Sequence, residues 1–497
     1  MVLLMSDTIL VNKQSLEEVL EENRKFRVEL KACHERIASL EDEVKTLKRK
    51  IFGKKSERLP KKQDHDQVVS SDLSLSAEDK KILQSLLDAA PIPNTSASPS
   101  KPSNDNLEYE RVDIDLSEKD KFCQLCSNPL HRIGEQSSKQ LDYIIPKLKL
   151  RETIRYKYGC RHCETAVTIP AKPGRTKKQL KASPGLLAYL IVAKYADHLP
   201  LYRLEGIFKR QGYRIARSTL SDWLQQSGKI LADHVFKIKS HVLTGSKINT
   251  DDTVLPVQDR TLKGRTRIGR MWVYRNEKGC VYEYTINRSR EGPSGFLKDY
   301  HGIIQADGYS GYNECCRTNG ILRSACWAHV RRKFYDVAQL SSEPGKPDVA
   351  LAYIQRLYAV EKQICDMSDN EKIIYRQRLS KPIIDEFCQW LKHQLSKTLP
   401  KSHFAKSIRY ALNFWSELIL YCEYGFLDID NNAAERAMRP VALGRKNWLF
   451  AGSNKGGETA AVMLSLIETA KQKGLNAISF ITDLLSGKNY DEMVGCV

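Results

Sequence analysis

Between residues 15 and 51 apolar side chains recur at alternating steps of three and four. Leu16, Asn23, Leu30, Ile37, Val44 and Ile51 take one seam position, and Val19, Phe26, Cys33, Leu40 and Leu47 take the other. A narrow seam kept over five repeats predicts a coiled coil, opened by a Ser15–Glu18 capping box, and the lone Asn23 in the first seam position fits a parallel dimer of fixed register. The pattern then fades: residues 60–109, rich in Ser, Asp, Pro and Asn, predict a disordered linker with at most a short helix around Lys80 to Leu87. Strand-like alternation follows between Leu141 and Tyr158, and from Ala182 the period becomes helical. Leu199–Leu231 predicts two helices joined by a turn at Gly212, the second capped at Ser218, which is the outline of a helix-turn-helix. Ser246–Asp259 predicts a strand, Met271–Asn287 a hairpin turning at Glu277–Gly279, and Gly302–Asn313 an apolar strand that Gly308 breaks just after Asp307. Helical spacing returns over residues 337–425, an expected helical insertion, and over Asn447–Gly474, a turn and a buried helix. Between them, Asp430 and Asn431 are expected N-caps of a short helix that Pro440 stops.

At 497 residues the chain is too long for one hydrophobic core. The pattern divides it into a coiled coil with a basic segment (1–59), the linker (60–109), a cysteine-bearing module (110–175), the helix-turn-helix-like region (176–240), an α/β region (241–485) holding the insertion, and a tail (486–497). Lys and Arg outnumber Asp and Glu by 79 to 60, a net charge of +19, which points to a polyanionic partner and favours nucleic acid over membrane. The longest apolar run, Gly185–Ala193, is too short to span a bilayer, and the opening MVLLM lacks the basic flank of a signal peptide. Thirteen mostly scattered cysteines fit a reduced, cytoplasmic compartment better than a disulfide framework.

Four of those cysteines are ordered. Cys123, Cys126, Cys160 and Cys163 spell CxxC, thirty-three residues, CxxC, and four thiolates at that spacing predict a tetrahedral zinc ribbon. The metal is expected to be structural, because four Cys leave no open position, with His131 and His162 as bystanders. Asp251 and Asp252 lie on the first predicted strand and Asp307 at the end of another, where acids can reach a metal at a sheet edge. Glu435 is the only acid in its helix, amid Arg436, Arg439, Arg445 and Lys446. Arg331, Arg332 and Lys333 stand in a row downstream of Cys326. An acid that holds a divalent cation, among cations that hold phosphates, is what metal-dependent phosphodiester chemistry requires. Cys326 and His329 have half a metal-site spacing, and His329 reads as packed or phosphate-facing. Lys209, Arg210, Arg214 and Arg217 would face a DNA backbone.

DDT at Asp251–Thr253, QADGYSGYN at Gln305–Asn313, CWAHVRRKF at Cys326–Phe334 and DNNAAERAMRPVALGRKNWLFAGS at Asp430–Ser453 together resemble the transposases of the insertion sequence 66 family. The likeness also takes in the zipper-like start, FGKKSERL, the four-Cys ribbon and KYADHLPLYR at Lys194–Arg203. It implies a multidomain α/β protein whose RNase H-like catalytic core carries a DDE triad, Asp251, Asp307 and Glu435, with Asp252 as the alternative first acid. The acids would bind two Mg²⁺ (or Mn²⁺) for strand cleavage and strand transfer. Arg331, Arg332, Arg436, Arg439, Arg445 and Lys446 would contact phosphates. Further implications are double-stranded DNA as partner, recognition of terminal inverted repeats, a homodimer through the coiled coil, two small accessory proteins of the same element and a nucleoid-associated location. Two rivals remain: a zinc-dependent DNA-binding regulator with an inactive core, and a structure-specific nuclease that cuts without joining.

Overall fold

The computed structural model describes residues 73–88 and 182–494, with gaps at 260, 263–265 and 342, and scattered positions within 21–40 and 121–169. The chain forms two units, residues 1–91 with 154–497, and 92–153. Most of the smaller unit lies outside the described residues, as do Cys123, Cys126, Cys160 and Cys163. Of the expected ribbon, the described part is an antiparallel pair, Tyr158–Gly159 with Val167–Thr168. The described positions between Glu21 and Leu40 are helical; the seam residues Ile37 and Leu40 are exposed, and the rest of the expected coiled coil lies outside the described residues.

The expected linker is not wholly disordered. Ala77–Asp88 forms helix α1, opened by Ser76, whose hydroxyl accepts the Asp79 N–H at 3.1 Å while the Asp79 carboxylate accepts from Ser76 N. Asp79 is 2% exposed and also accepts from Trp390 Nε1 and Gln394 Nε2, each at 3.0 Å. Composition suggested a solvated segment, yet capping chemistry and one buried carboxylate with four donors hold this part of it in the fold.

Helices α2 (Pro184–Tyr195), α3 (Leu201–Arg210) and α4 (Arg217–Leu243) come next. The chain reverses between α3 and α4 at Gly212, whose φ of +89° only glycine adopts without strain. The second helix of the expected pair starts one residue before Ser218 and carries no side-chain cap. It also runs to Leu243, well past Leu231, because Val235, Ile238 and Val242 continue its buried stripe. Its Gly228 lies against Thr459, and Ile238 lies against Gly279 of the sheet region. The boundary drawn at residue 240 therefore separates no two bodies.

Five strands form the sheet: β1 (Lys247–Gln258), β2 (Thr266–Arg275), β3 (Cys280–Thr285), β4 (Ile303–Gln305) and β5 (Leu322–Ser324), in the order β3-β2-β1-β4-β5. The first three run antiparallel because a tight turn, closed by Asn276 N–H to Gly279 O, joins β2 to β3. β4 and β5 are parallel to β1, each reached by a helical crossover. After β5 come α5 (Trp327–Ala338), α6 (Lys346–Gln363), α7 (Lys381–Lys397), α8 (His403–Asn413), α9 (Asn432–Trp448), α10 (Asn454–Gln472), α11 (Ala477–Leu485) and α12 (Tyr490–Val494). Side chains of α10 close the free edge of β3: Ser465 Oγ accepts Tyr282 N–H at 2.7 Å and Thr469 Oγ1 accepts Cys280 N–H at 3.1 Å.

The insertion is helical as expected, with its own aromatic core of Tyr353, Phe387, Trp390 and Phe404 packed with Trp327 and Phe334. The expected tail is docked: Tyr490 is fully buried, and Lys237 donates to Asn489 and Asp491. Among the described residues no helix is long and apolar enough to cross a membrane.

Candidate active site

β1 and β4 pair in parallel with Asn249 opposite Gln305. Asp251 lies two residues further along β1, on the face already taken by the Asn249 side chain, and Asp307 lies two residues beyond the end of β4. The Asn249 and Gln305 side chains bond each other at 3.1 Å, and Asn249 Nδ2 also donates to Asn431 Oδ1 at 3.0 Å. Asn431 Nδ2 in turn donates to Thr250 O at 2.8 Å, while Gln305 Nε2 reaches Asp428 O. This buried amide network fastens the start of α9, and with it Glu435, to the strands that carry the two aspartates.

The N-cap expectation is thus half right. Asn431 sits at the cap position but spends its side chain on β1, and Asp430 Oδ1 accepts the Asn432 N–H at 3.0 Å in its place. Asp430 also accepts from Tyr358 of α6 at 2.9 Å. Nor does Pro440 stop the helix, which runs through it to Trp448. An internal proline costs about 3 kcal/mol. Ala434, Ala437, Met438 and Val441 are buried along one stripe, Tyr282 Oη donates to Ala437 O, and Arg445 donates to Val254 O, contacts that oppose that cost.

Among the described residues the three acids do not form a set of donor atoms within 4.8 Å of one another; what links them is the effect of the others on Asp251. Burial, then the charges of Asp307, Asp252 and Glu435, push the Asp251 carboxyl up to about 7, against the opposing hydrogen bond from Asp252 N–H. Asp252 is in a different position: its side chain is 2% exposed and is held by Arg270 at 2.9 Å and Arg288 at 2.7 Å. Arg288 also reaches to 3.7 Å from Asp307 and lies over the Tyr309 ring at 4.1 Å. Tyr309 Oη donates back to Arg288 O. Arg270 and Arg288 were not singled out from sequence, because pairing across a sheet gives no local spacing signal; an arginine facing a strand aspartate diagonally is the only clue.

Glu435 has His329 Nε2 at 3.7 Å and Arg332 at 3.9 Å. Donor atoms of Cys326, His329 and Glu435 lie within 4.8 Å of one another. Burial pushes the Cys326 thiol up to about 12, and it accepts the Asn431 N–H at 3.1 Å, so Cys326 serves as a neutral bridge between α5 and α9. Glu435 lies in a cleft of about 590 Å³ lined by Arg331, Arg332, Arg436, Arg439, Tyr358 and Asn432. Four of the six expected phosphate contacts thus meet in one cleft. The other two lie apart from it: Arg445 donates to Val254 O, and Lys446 is exposed in the last turn of α9.

Comparison with known proteins gives the class, a transposase. A family profile described as Transposase IS66 family matches residues 179–459, which include all three acids, and one described as the zinc-finger binding domain of transposase IS66 matches residues 120–164, which include all four cysteines. Three uncharacterized proteins of Sinorhizobium fredii are similar. One, y4hP, is 31% identical over 90% of this chain and 86% of its own length. Another, y4qI, is 30% identical over 98% and 92%, and y4jD is 33% identical over 76% of each. The chain belongs to the IS66 family of transposases and carries that family's zinc-finger domain.

Proposed function

We propose that this transposase binds the inverted repeats at the ends of an insertion sequence and, with Mg²⁺ or Mn²⁺, cuts and joins DNA strands using Asp251, Asp307 and Glu435. The observation that carries the reading is the amide network of Asn249, Gln305 and Asn431, which ties β1, β4 and the start of α9 together and so brings in Asp251, Asp307 just beyond β4, and Glu435, acids far apart in sequence; the raised pKa of Asp251 agrees with it. The strand order β3-β2-β1-β4-β5, with three antiparallel strands followed by two parallel ones, supports an RNase H-like core. Asp251 is the better first acid, because Asp252 is already neutralised by two arginines.

The donor set fits hard divalent cations. Three carboxylates supply oxygen ligands, and the raised pKa of Asp251 marks a negative potential that a cation would relieve. When bound, such ions stabilise both the attacking and the leaving oxygens of an in-line displacement. The protein's own part is positional. The Asn249–Gln305–Asn431 network fixes the spacing of the acids, and Arg288 keeps Asp252 from joining them. Arg331, Arg332, Arg436 and Arg439 hold the phosphates of the strand beside Glu435. Cys123, Cys126, Cys160 and Cys163 would hold a structural zinc in the zinc-finger module, which with the α3–α4 pair would engage the element ends. The exposed Ile37 and Leu40 fit a seam that a second copy covers.

The test is a strand-transfer assay with element-end DNA and Mg²⁺, comparing wild type with Glu435→Gln. Joined product from the wild type and none from the variant is expected; DNA that is cut but never joined would indicate a nuclease, and bound but intact DNA a regulator.

A further inference from the structure

At the far end of α9 the backbone is strained. Leu449 has φ 62° and ψ −52°, and Phe450 N–H closes onto Trp448 O at 2.7 Å, which makes a γ-turn of the rare, strained hand centred on a leucine. Strain of this kind costs on the order of 1–3 kcal/mol and persists only where the surroundings impose it. Here they do so from both sides. Leu449 N–H still bonds Arg445 O as the last bond of α9, while Ala451 exchanges bonds with β1, donating to Pro256 O at 2.9 Å and accepting from Gln258 N at 2.8 Å. The tip so formed points apolar side chains outward: Leu449 is 65% exposed and Phe450 39%. Ile268, opposite Pro256 in the sheet, adds a third exposed apolar group beside it.

Charge identifies what covers this tip. From Asn432 to Gly457 the chain carries Arg436, Arg439, Arg445, Lys446 and Lys455 against Glu435 alone. Lys446 stands exposed in the turn that ends at the tip, beside Arg445, whose guanidinium is held by Val254 O. A rigid leucine–phenylalanine pair set among cations matches a nucleic acid duplex, whose phosphates meet the cations and whose bases accept an apolar wedge. The same helix presents Glu435 fourteen residues earlier, about 20 Å away at 1.5 Å per residue, or roughly six base-pair steps.

We propose that the Leu449–Phe450 tip is a wedge that unstacks a base step of the DNA lying along α9, a fixed distance from the strand position at Glu435. The proposal rests on the transposase reading. Its test uses the full chain and an element-end duplex carrying the fluorescent base aminopurine at successive positions, with Ca²⁺ in place of Mg²⁺. Bound wild type is expected to raise the fluorescence at one position, several base pairs from the cleavage site. Leu449→Ala/Phe450→Ala should return that signal to the level of the free duplex while changing affinity by less than about threefold, since the phosphate contacts remain. Phe450→Trp, which keeps the wedge, should retain the signal. Absence of any rise in DNA-bound wild type, or a rise that survives in the double alanine variant, overturns the proposal. So does a change in oligomeric mass without a fluorescence change, which would make the tip a contact between copies. Failure of the transposase reading is separable: the wedge signal would be present, but Mg²⁺ would produce no strand cleavage.

Discussion

In the helical insertion the buried charge among the described residues is answered. Arg376, 2% exposed, pairs with Glu361 at 2.6 Å and donates to the carbonyls of Tyr421, Tyr424, Gly425 and Leu427, holding the segment that leads into α9. Asp79 is as deeply placed and accepts from Ser76, Trp390 and Gln394. In the sheet, Asp251 receives one backbone hydrogen bond, and burial together with the charges of Asp307, Asp252 and Glu435 raises its pKa to about 7. Asp252, one residue on, has its charge met by Arg270 and Arg288. The difference separates the framework from the proposed site: balanced charge holds the fold together, whereas the unbalanced negative charge around Asp251 is what a bound cation would complete.

The comparison breaks most clearly if a surplus acid proves structural. Asp307→Asn should lower strand cleavage by about 10³-fold or more, roughly 4 kcal/mol in the barrier, with thermal stability little changed, because the lost repulsion toward Asp251 is offset by the lost pairing with Arg288. Cleavage rates and melting curves on the same preparation decide it, and a large drop in Tm would show that the acid belongs to the framework. Arg376→Ala should do the reverse, costing about 3–5 kcal/mol in chemical denaturation because Glu361 and four carbonyls lose their partner inside the fold. Asp79→Ala should cost about 1–3 kcal/mol and expose the segment around α1 to protease, through the donors it orphans on α7.

The smallest effect concerns pH. With its folded pKa raised to about 7, Asp251 binds a proton more readily in the folded than in the unfolded chain. Stability of the metal-free protein should therefore fall as pH rises from about 4 through 7, by up to ~1.4 kcal/mol per unit. Mg²⁺ affinity should rise over the upper part of that window, because the ion needs the ionised carboxylate. Calorimetric titration at several pH values measures both trends. In Asp251→Asn the stability slope should vanish, and a slope that stays would assign it to another group.

The part of the candidate site that was legible in the sequence is written in short motifs. Asp307 beside Gly308, the arginine row after Cys326 and Glu435 amid basic residues each announce a charge with a purpose, and Arg331, Arg332, Arg436 and Arg439 do share one cleft with Glu435. Arg270 and Arg288 left no such trace, since what they do depends on a partner on another strand. Two local rules failed for the same reason. Proline predicts a helix stop and asparagine predicts a cap, but the packing of α9 on β1 overrides the first, and the demand for a link between α9 and the sheet redirects the second.

By itself the sequence determined the order of elements, the ribbon spacing of its cysteines, the basic character of the chain and the residue types able to hold metal and phosphate, because periodicity, charge and ligand chemistry are properties of neighbours along the chain. Only the tertiary structure decided that Asp252 is neutralised while Asp251 is not, that α1 docks on α7, and that α9 ends in a strained apolar tip. Each of these depends on groups distant in sequence, whose approach is fixed by parallel pairing of β1 with β4 and by the burial of α9 against the sheet.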